Sequence, residues 1–224
     1  MEIIVSNKLC SAVPGFSAAV IQYKGVQVGP SPQMLKGRLQ LFQESLYFDL
    51  EDSKVTELEG IKEWRAVFKQ AGRDPNRFRH SAEALYRRVQ KQNYLQSIHS
   101  AVDLNNFFSL KYQLPIGAYD QDKLSGGHVE LRLGHDGEAY EGINGRENSL
   151  NSLIVSADKS GPFGSPFVDS VKTVVTTETT NVLQILYLRP SLDTAEKIKL
   201  TESLMEMFLQ IHGGEGSYTL AGCE

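Results

Sequence analysis

The sequence predicts an α+β fold. Three observations carry this. Apolar residues recur at helical spacing through the first half, up to about Lys111. Beyond Gly126 the pattern turns to period-two alternation broken by Gly-rich and Asn-rich turns. One more helical stripe closes the chain, and no βαβ alternation links the two halves. The 224 residues show no linker, repeat or low-complexity tract, so one domain over residues 1–224 is expected.

The elements follow in order. Glu2 to Val5 reads as a strand, and Ala18 to Tyr23 as a second. Ser31-Pro32 fits a helix start, serine as cap and proline at the first position, ahead of Leu35, Leu39, Phe42 and Leu46. A second helix begins near Glu59 with the stripe Ile61, Trp64, Phe68 and Ala71, and Gly72 with Asp74-Pro75 ends it. Ser81 opens a third. Ala82, Leu85, Tyr86 and Val89 line one side of it, and Ala84, Arg87, Arg88 and Lys91 the other. A fourth runs from about Ile98 to Lys111 and breaks at Leu114-Pro115-Ile116-Gly117. Strands are predicted at His128–Leu133, Ala139–Ile143, Leu153–Ala157, Thr173–Thr177 and Val182–Leu188. Gly126-Gly127, Gly134 to Gly137, Asn144-Gly145 and Ser160 to Pro166 read as turns. Asp193 and Glu196 have capping-box spacing for a last helix over about 194–212, ended by Gly213-Gly214.

Composition excludes several classes. No apolar run approaches the ~18 residues that span a membrane, and no basic, apolar secretory leader opens the chain. Cys10 and Cys223 lack metal-ligand spacing and read as reduced thiols of a cytoplasmic protein; neither metal nor cofactor is expected. The net charge is −4, but Lys62 to Lys91 holds nine Lys/Arg against three acids, a local +6. Such asymmetry suits a polyanion on one surface, or equally two solvated helices.

Asn105 falls in the apolar stripe of the fourth helix with Ile98, Ala101, Val102 and Phe108, and Asn106 lies one position round. A buried amide needs a partner. A small-molecule or acyl pocket supplies one, and so does a neighbouring loop. His99 and Asp103, at i and i+4, suit either an oriented base or a surface pair, with no nucleophile in view. His128, His135 and His212 have no evident partner. Leu200 and Met207 lie off the last helix's stripe and point to a partner surface, with a homodimer as the candidate assembly.

The segment Asp103-Leu104-Asn105-Asn106-Phe107, Leu110, Pro115-Ile116-Gly117-Ala118-Tyr119-Asp120, Lys123-Leu124, then Val129-Glu130-Leu131-Arg132 and Gly137-Glu138, resembles the B3/B4 domain of the phenylalanyl-tRNA synthetase beta chain. That family reads approximately D-x-T-N-Y-x-x-L-E-x-G-Q-P-L-H-A-F-D-x-x-K-L, then I-x-V-R and G-E. Upstream, Gly72-Arg73-Asp74-Pro75 and Arg79 to Leu85 look like the freestanding branch. The resemblance covers residues 61–189. It implies a three-layer α+β fold and an editing pocket that hydrolyses misacylated aminoacyl-tRNA. By matching position, Asn105 and Asn106 are implied to contact the aminoacyl group and place the water. Gly117, Tyr119, Asn144 and Gly145 are implied to shape the substrate site. The basic set Arg73, Arg77, Arg79, Arg87, Arg88 and Lys91 would take the phosphates of the tRNA acceptor end. Gly117 replaces the family histidine, so a roomier pocket is expected, and no pocket glutamate is found near Gly161 to Phe167. A non-catalytic tRNA-binding module and a binder of free amino acids or small metabolites are the alternatives. A complete ligase is not expected, because the chain has no nucleotide-binding motif.

Overall fold

The computed structural model describes residues 1–223. Strand β1 (Glu2–Val5) leads into a short helix α1 (Asn7–Ala12), whose cap is the Ser6 hydroxyl accepting from the Leu9 N–H at 3.2 Å. Periodicity cannot register six residues, and this helix was not expected. Strand β2 (Ser17–Lys24) and helix α2 (Gln33–Asp49) follow. Ser31 does not cap α2. Its hydroxyl binds the Asp103 carboxylate instead, and Pro32 takes the cap position without a side-chain bond. Helices α3 (Glu59–Gln70) and α4 (Ser81–Gln90) bury the predicted stripes, with Trp64 and Ala82 wholly enclosed. Helix α5 (Ser100–Tyr112) starts two residues late, at an Nδ1 cap from His99. It is not amphipathic: Ala101, Asp103, Leu104, Asn105, Phe108 and Leu110 are all buried, on every side of the helix.

The segment after the Leu114-Pro115 break is a strand, β3 (Ile116–Asp120). Then come β4 (His128–Leu133), the hairpin β5 (Ala139–Glu141) and β6 (Glu147–Ser149), and β7 (Ile154–Asp158). Gly145, at φ +71°, turns the hairpin as the Asn-Gly signal predicts. β8 (Gly161–Gly164) occupies part of the predicted turn over Ser160 to Pro166. Thr173–Thr177 is not a strand: Val171–Thr173 forms a 3-10 turn, and Val174 makes only a single bridge to Tyr119. Strand β9 (Asn181–Tyr187), helix α6 (Thr194–His212) with its Asp193–Glu196 capping box, and strand β10 (Glu215–Gly222) complete the fold.

The central sheet runs β10–β2–β9–β3, all antiparallel. The outer sheet runs β1–β4–β7–β8, with β1 parallel to β4 and the other pairs antiparallel. Residues opposite one another in an antiparallel pair share a face. Tyr23, Gln184 and Ala118 therefore look one way, and there Tyr23 stacks on Phe208 of α6 and Gln184 bonds Asn105 of α5. Gly117, Tyr119 and Tyr187 look the other way, towards Phe163 and Ser156 of the outer sheet. Helices, central sheet and outer sheet are the three layers of this α+β fold.

Two expectations about the ends are corrected. Cys10 and Cys223 are joined in a disulfide, their Cα atoms 5.2 Å apart. β10 zips along β2 and brings Cys223 back to Cys10 of α1, with the Cys223 N–H donating to the carbonyl of Phe16, just ahead of β2, at 3.0 Å. Sequence spacing holds no trace of that return. Leu200 on α6 is only 6% exposed and Met207 packs partly against the core, so neither offers a partner surface.

Candidate functional site

β3 is the edge strand of the central sheet, and a cavity of about 220 Å³ lies against it. Val102, Asn105, Asn106 and Ser109 of α5, Ser81 and Leu85 of α4, and Ile116, Ala118 and Tyr119 of β3 form three walls. Asp169, Ser170 and Thr173 to Val175, with Ile143 from the hairpin tip, form the fourth. An apolar hollow with a few polar groups converging on it is the usual form of a small-ligand site.

The two asparagines differ. Asn105 is 8% exposed, and both ends of its amide are engaged. Its Oδ1 accepts from Gln184 Nε2 at 2.6 Å, and its Nδ2 donates to the Ile116 carbonyl at 3.4 Å. The Tyr23 hydroxyl continues the chain, donating to Gln184 Oε1 at 2.6 Å. Asn106 is half-buried, lines the cavity and takes no hydrogen-bond partner for its side chain among the described residues. Two donors and an acceptor are thus offered to whatever enters.

Gly117 does not open extra room. It faces the outer sheet, and a Cβ there would collide with the Tyr119 hydroxyl. A Cβ at Gly164 would strike the same hydroxyl. The Tyr119 side chain folds back along its own strand into the space both glycines leave, so the roomier pocket predicted from Gly117 is not found. The hydroxyl then donates to Asp169 Oδ1 at 2.7 Å, with the Ser165 N–H on the same oxygen at 3.3 Å.

Asp169 is the residue that sequence analysis missed. It stands two positions past Phe167, in a loop with no periodic signal. Burial pushes its carboxyl up to about 7, and the Tyr119 and Ser165 hydrogen bonds restrain the rise. Burial also raises the Tyr119 and Tyr187 hydroxyls above their ordinary value, with the Asp169 charge adding to both. Asp169 Oδ2 takes no partner among the described residues. A carboxyl near neutrality with one free oxygen at a cavity wall is able to take a proton from water or hold a cation.

The remaining predicted site residues fall in different places. Asn144 and Gly145 sit at the hairpin tip; their neighbour Ile143 reaches the cavity and they do not line it. Asn144 instead exchanges hydrogen bonds with Asn148. His99 and Asp103 do not pair. Asp103 is fully buried and binds Ser31, Ser97 and the Ile98 N–H, while His99 Nε2 meets the Val175 carbonyl at 3.2 Å. His212, without an evident partner in the sequence, is 3% exposed and held by Phe208 and Ser100.

Of the basic set, Arg77, Arg79, Arg88 and Lys91 are exposed and make no ion pair among the described residues. Arg87 is bound to the buried Glu83 at 2.8 Å, which Arg65 also holds at 3.0 Å. The Arg73 guanidinium lies over the Phe78 ring, 4.4 Å from its centroid. Burial and the nearby Arg77 charge lower its pKa. Arg77 and Arg79 precede the first turn of α4, where Ser81 lines the cavity and its N–H binds the Pro166 carbonyl at 2.8 Å. Phe78 meets Phe167 edge-on at 5.7 Å. Arg77 and Arg79 therefore adjoin the loop that carries Asp169, whereas Arg88 and Lys91 stand at the far end of α4.

The family model described as "B3/4 domain" matches residues 63–209, and the chain belongs to that family. It is 37% identical over 215 residues to the "Uncharacterized protein YhzB" of Bacillus subtilis (strain 168), covering 96% of each chain. It is 28% identical over 156 residues to the phenylalanine–tRNA ligase beta subunit of Paramagnetospirillum magneticum, covering 58% of this chain and 19% of that one. Among solved structures, an N-terminal fragment of the phenylalanyl-tRNA synthetase beta-subunit from Pyrococcus horikoshii overlaps it with a TM-score of 0.47 at 17% identity. That overlap covers 96% of this chain and 50% of the other. No helix among the described residues is long and apolar enough to cross a membrane.

Proposed function

We propose that this protein is a freestanding editing factor that hydrolyses the ester of misacylated aminoacyl-tRNA. The observation that carries the proposal is the cavity at the edge of β3. Asn106 and Asp169 Oδ2 at its wall are unpaired among the described residues, and the exposed Arg77 and Arg79 stand just ahead of α4. An aminoacyl ester is already activated, so a held water and a group to take its proton suffice without a covalent nucleophile. In this scheme Asn106 positions the aminoacyl group and water, and Asp169 receives the water's proton as the hydroxide attacks the carbonyl and returns it to the ribose oxygen as the ester bond breaks. Asn105 holds α5 against the central sheet, and Arg77, Arg79, Arg88 and Lys91 take the acceptor-end phosphates. Membership of a family shared with tRNA ligase beta subunits supports the choice of substrate.

Single-turnover deacylation of a panel of mischarged tRNAs tests it. The expected result is hydrolysis of at least one, with affinity that falls as salt rises because phosphate contacts release counterions. Salt-dependent binding with no hydrolysis across the panel would leave a tRNA-binding module. Salt-independent binding of free amino acids, with no RNA affinity, would leave a metabolite-binding protein.

A further inference from the structure

Helix α2 turns Leu35, Leu39 and Gln43 into the body and a second row to solvent. Met34, Leu41 and Phe48 are 57%, 68% and 67% exposed. They recur every seven residues, which keeps them on one side of the helix over roughly 21 Å at 1.5 Å per residue. Single exposed apolar residues are ordinary, but a row of three large ones on one helix marks an interaction surface. Beside the N-terminal half of this row lies a shallow groove of about 650 Å³. Met34, Gly37, Leu41 and Phe42 bound it on one side and Phe107 and Lys111 of α5 on the other. A Cβ at Gly37 would meet nothing within 4 Å, so the groove is open there. Arg38 and Lys111 supply cations at its rim. At the opposite end of α2, Phe48 stands out beside the exposed acids Asp49, Glu51 and Asp52. One helix thus carries a base-rimmed apolar groove at one end and an acid-flanked aromatic side chain at the other.

We propose that two copies of this chain form a symmetric dimer by packing α2 antiparallel about a twofold axis at Leu41. Phe48 of each copy enters the other's groove between Met34 and Phe107. Met34 and Phe48 lie seven residues to either side of Leu41, so a single twofold satisfies both contacts together and closes the assembly. The antiparallel order brings the acidic end of each helix to the basic rim of the other. A parallel order would set Arg38 against Arg38 and Asp49 against Asp49. This self-complementarity of charge and spacing selects a second copy over an unrelated partner.

Sedimentation velocity over a concentration series, combined with cysteine pairing, tests the proposal. Cys10 and Cys223 are already bonded to each other and do not interfere. The wild-type chain is expected to dimerise. Leu41→Arg should weaken the dimer by about 30-fold or more, as loss of a central anchor does. The melting temperature should hold, since Leu41 is mostly exposed. On mild oxidation Leu41→Cys should cross-link to itself. Met34→Cys and Phe48→Cys should cross-link poorly alone and efficiently when mixed. A monomer at every concentration, a dimer untouched by Leu41→Arg, or self-linking of Met34→Cys as strong as that of Leu41→Cys would each overturn it.

Discussion

Asn105 and Asn106 are neighbours on one helix, yet they belong to different regions. Asn105 ends a closed chain, Tyr23–Gln184–Asn105–Ile116, in which each side-chain polar group has a protein partner. Asn106 and Asp169 Oδ2 belong to the cavity, where no partner among the described residues answers them. Both regions hold polar groups away from bulk water. The difference teaches that burial of an amide does not by itself single out a candidate site; an unmet hydrogen-bonding capacity at a cavity wall does.

That contrast has an order of consequences. The largest is at Asn106. Asn106→Ala should cut deacylation by about 10²–10³, the usual loss when one oriented donor is removed, while the melting temperature holds. Equal loss of tRNA affinity would move Asn106 out of the chemistry. Next, Asn105→Ala should cost about 1–3 kcal/mol in denaturant unfolding, because Gln184 Nε2 is left buried without an acceptor. If Asn105→Ala is neutral for stability and abolishes hydrolysis, the two regions are one and the contrast fails.

Tyr119→Phe should follow, at about 0.5–1.5 kcal/mol for one lost hydrogen bond. It should also lift the Asp169 titration, since the Tyr119 hydroxyl holds that carboxyl down. A further consequence is a slope with pH. The folded pKa of Asp169 is raised from 3.8 to about 7. The folded state therefore binds the extra proton between those values, and stability from this group is present at low pH and lost as pH rises towards 7. Thermal melts of Asp169→Asn and wild type should shift in favour of the variant from pH 4 to pH 8. Parallel curves would mean that Asp169 titrates as a free carboxyl and is no poised base.

Much of the scaffold was legible. The stripes of α3 and α4, β4 to the residue, the Asn144-Gly145 turn and the Asp193–Glu196 box all follow local rules of period and capping. The strands β3 and β10 were not legible. β3 is only five residues long and follows a proline, and β10 has just Tyr218 and Leu220 as large apolar residues between two glycines. Their pairing with β9 and β2 makes them strands. Asp169 was hidden for a related reason: a loop carboxyl has no period, and only the fold sets it beside Tyr119.

The sequence by itself determined the class, the helical stripes and the interest of the segment from Asp103 to Asp120, which supplies two walls of the cavity. These are matters of near neighbours along the chain, where side-chain direction follows from residue spacing. Tertiary structure alone decided that the two asparagines part company, that Tyr119 fills the space left by Gly117 and Gly164, and that the two cysteines meet. Each of those depends on residues far apart in sequence competing for one volume, and no local rule records which of them occupies it.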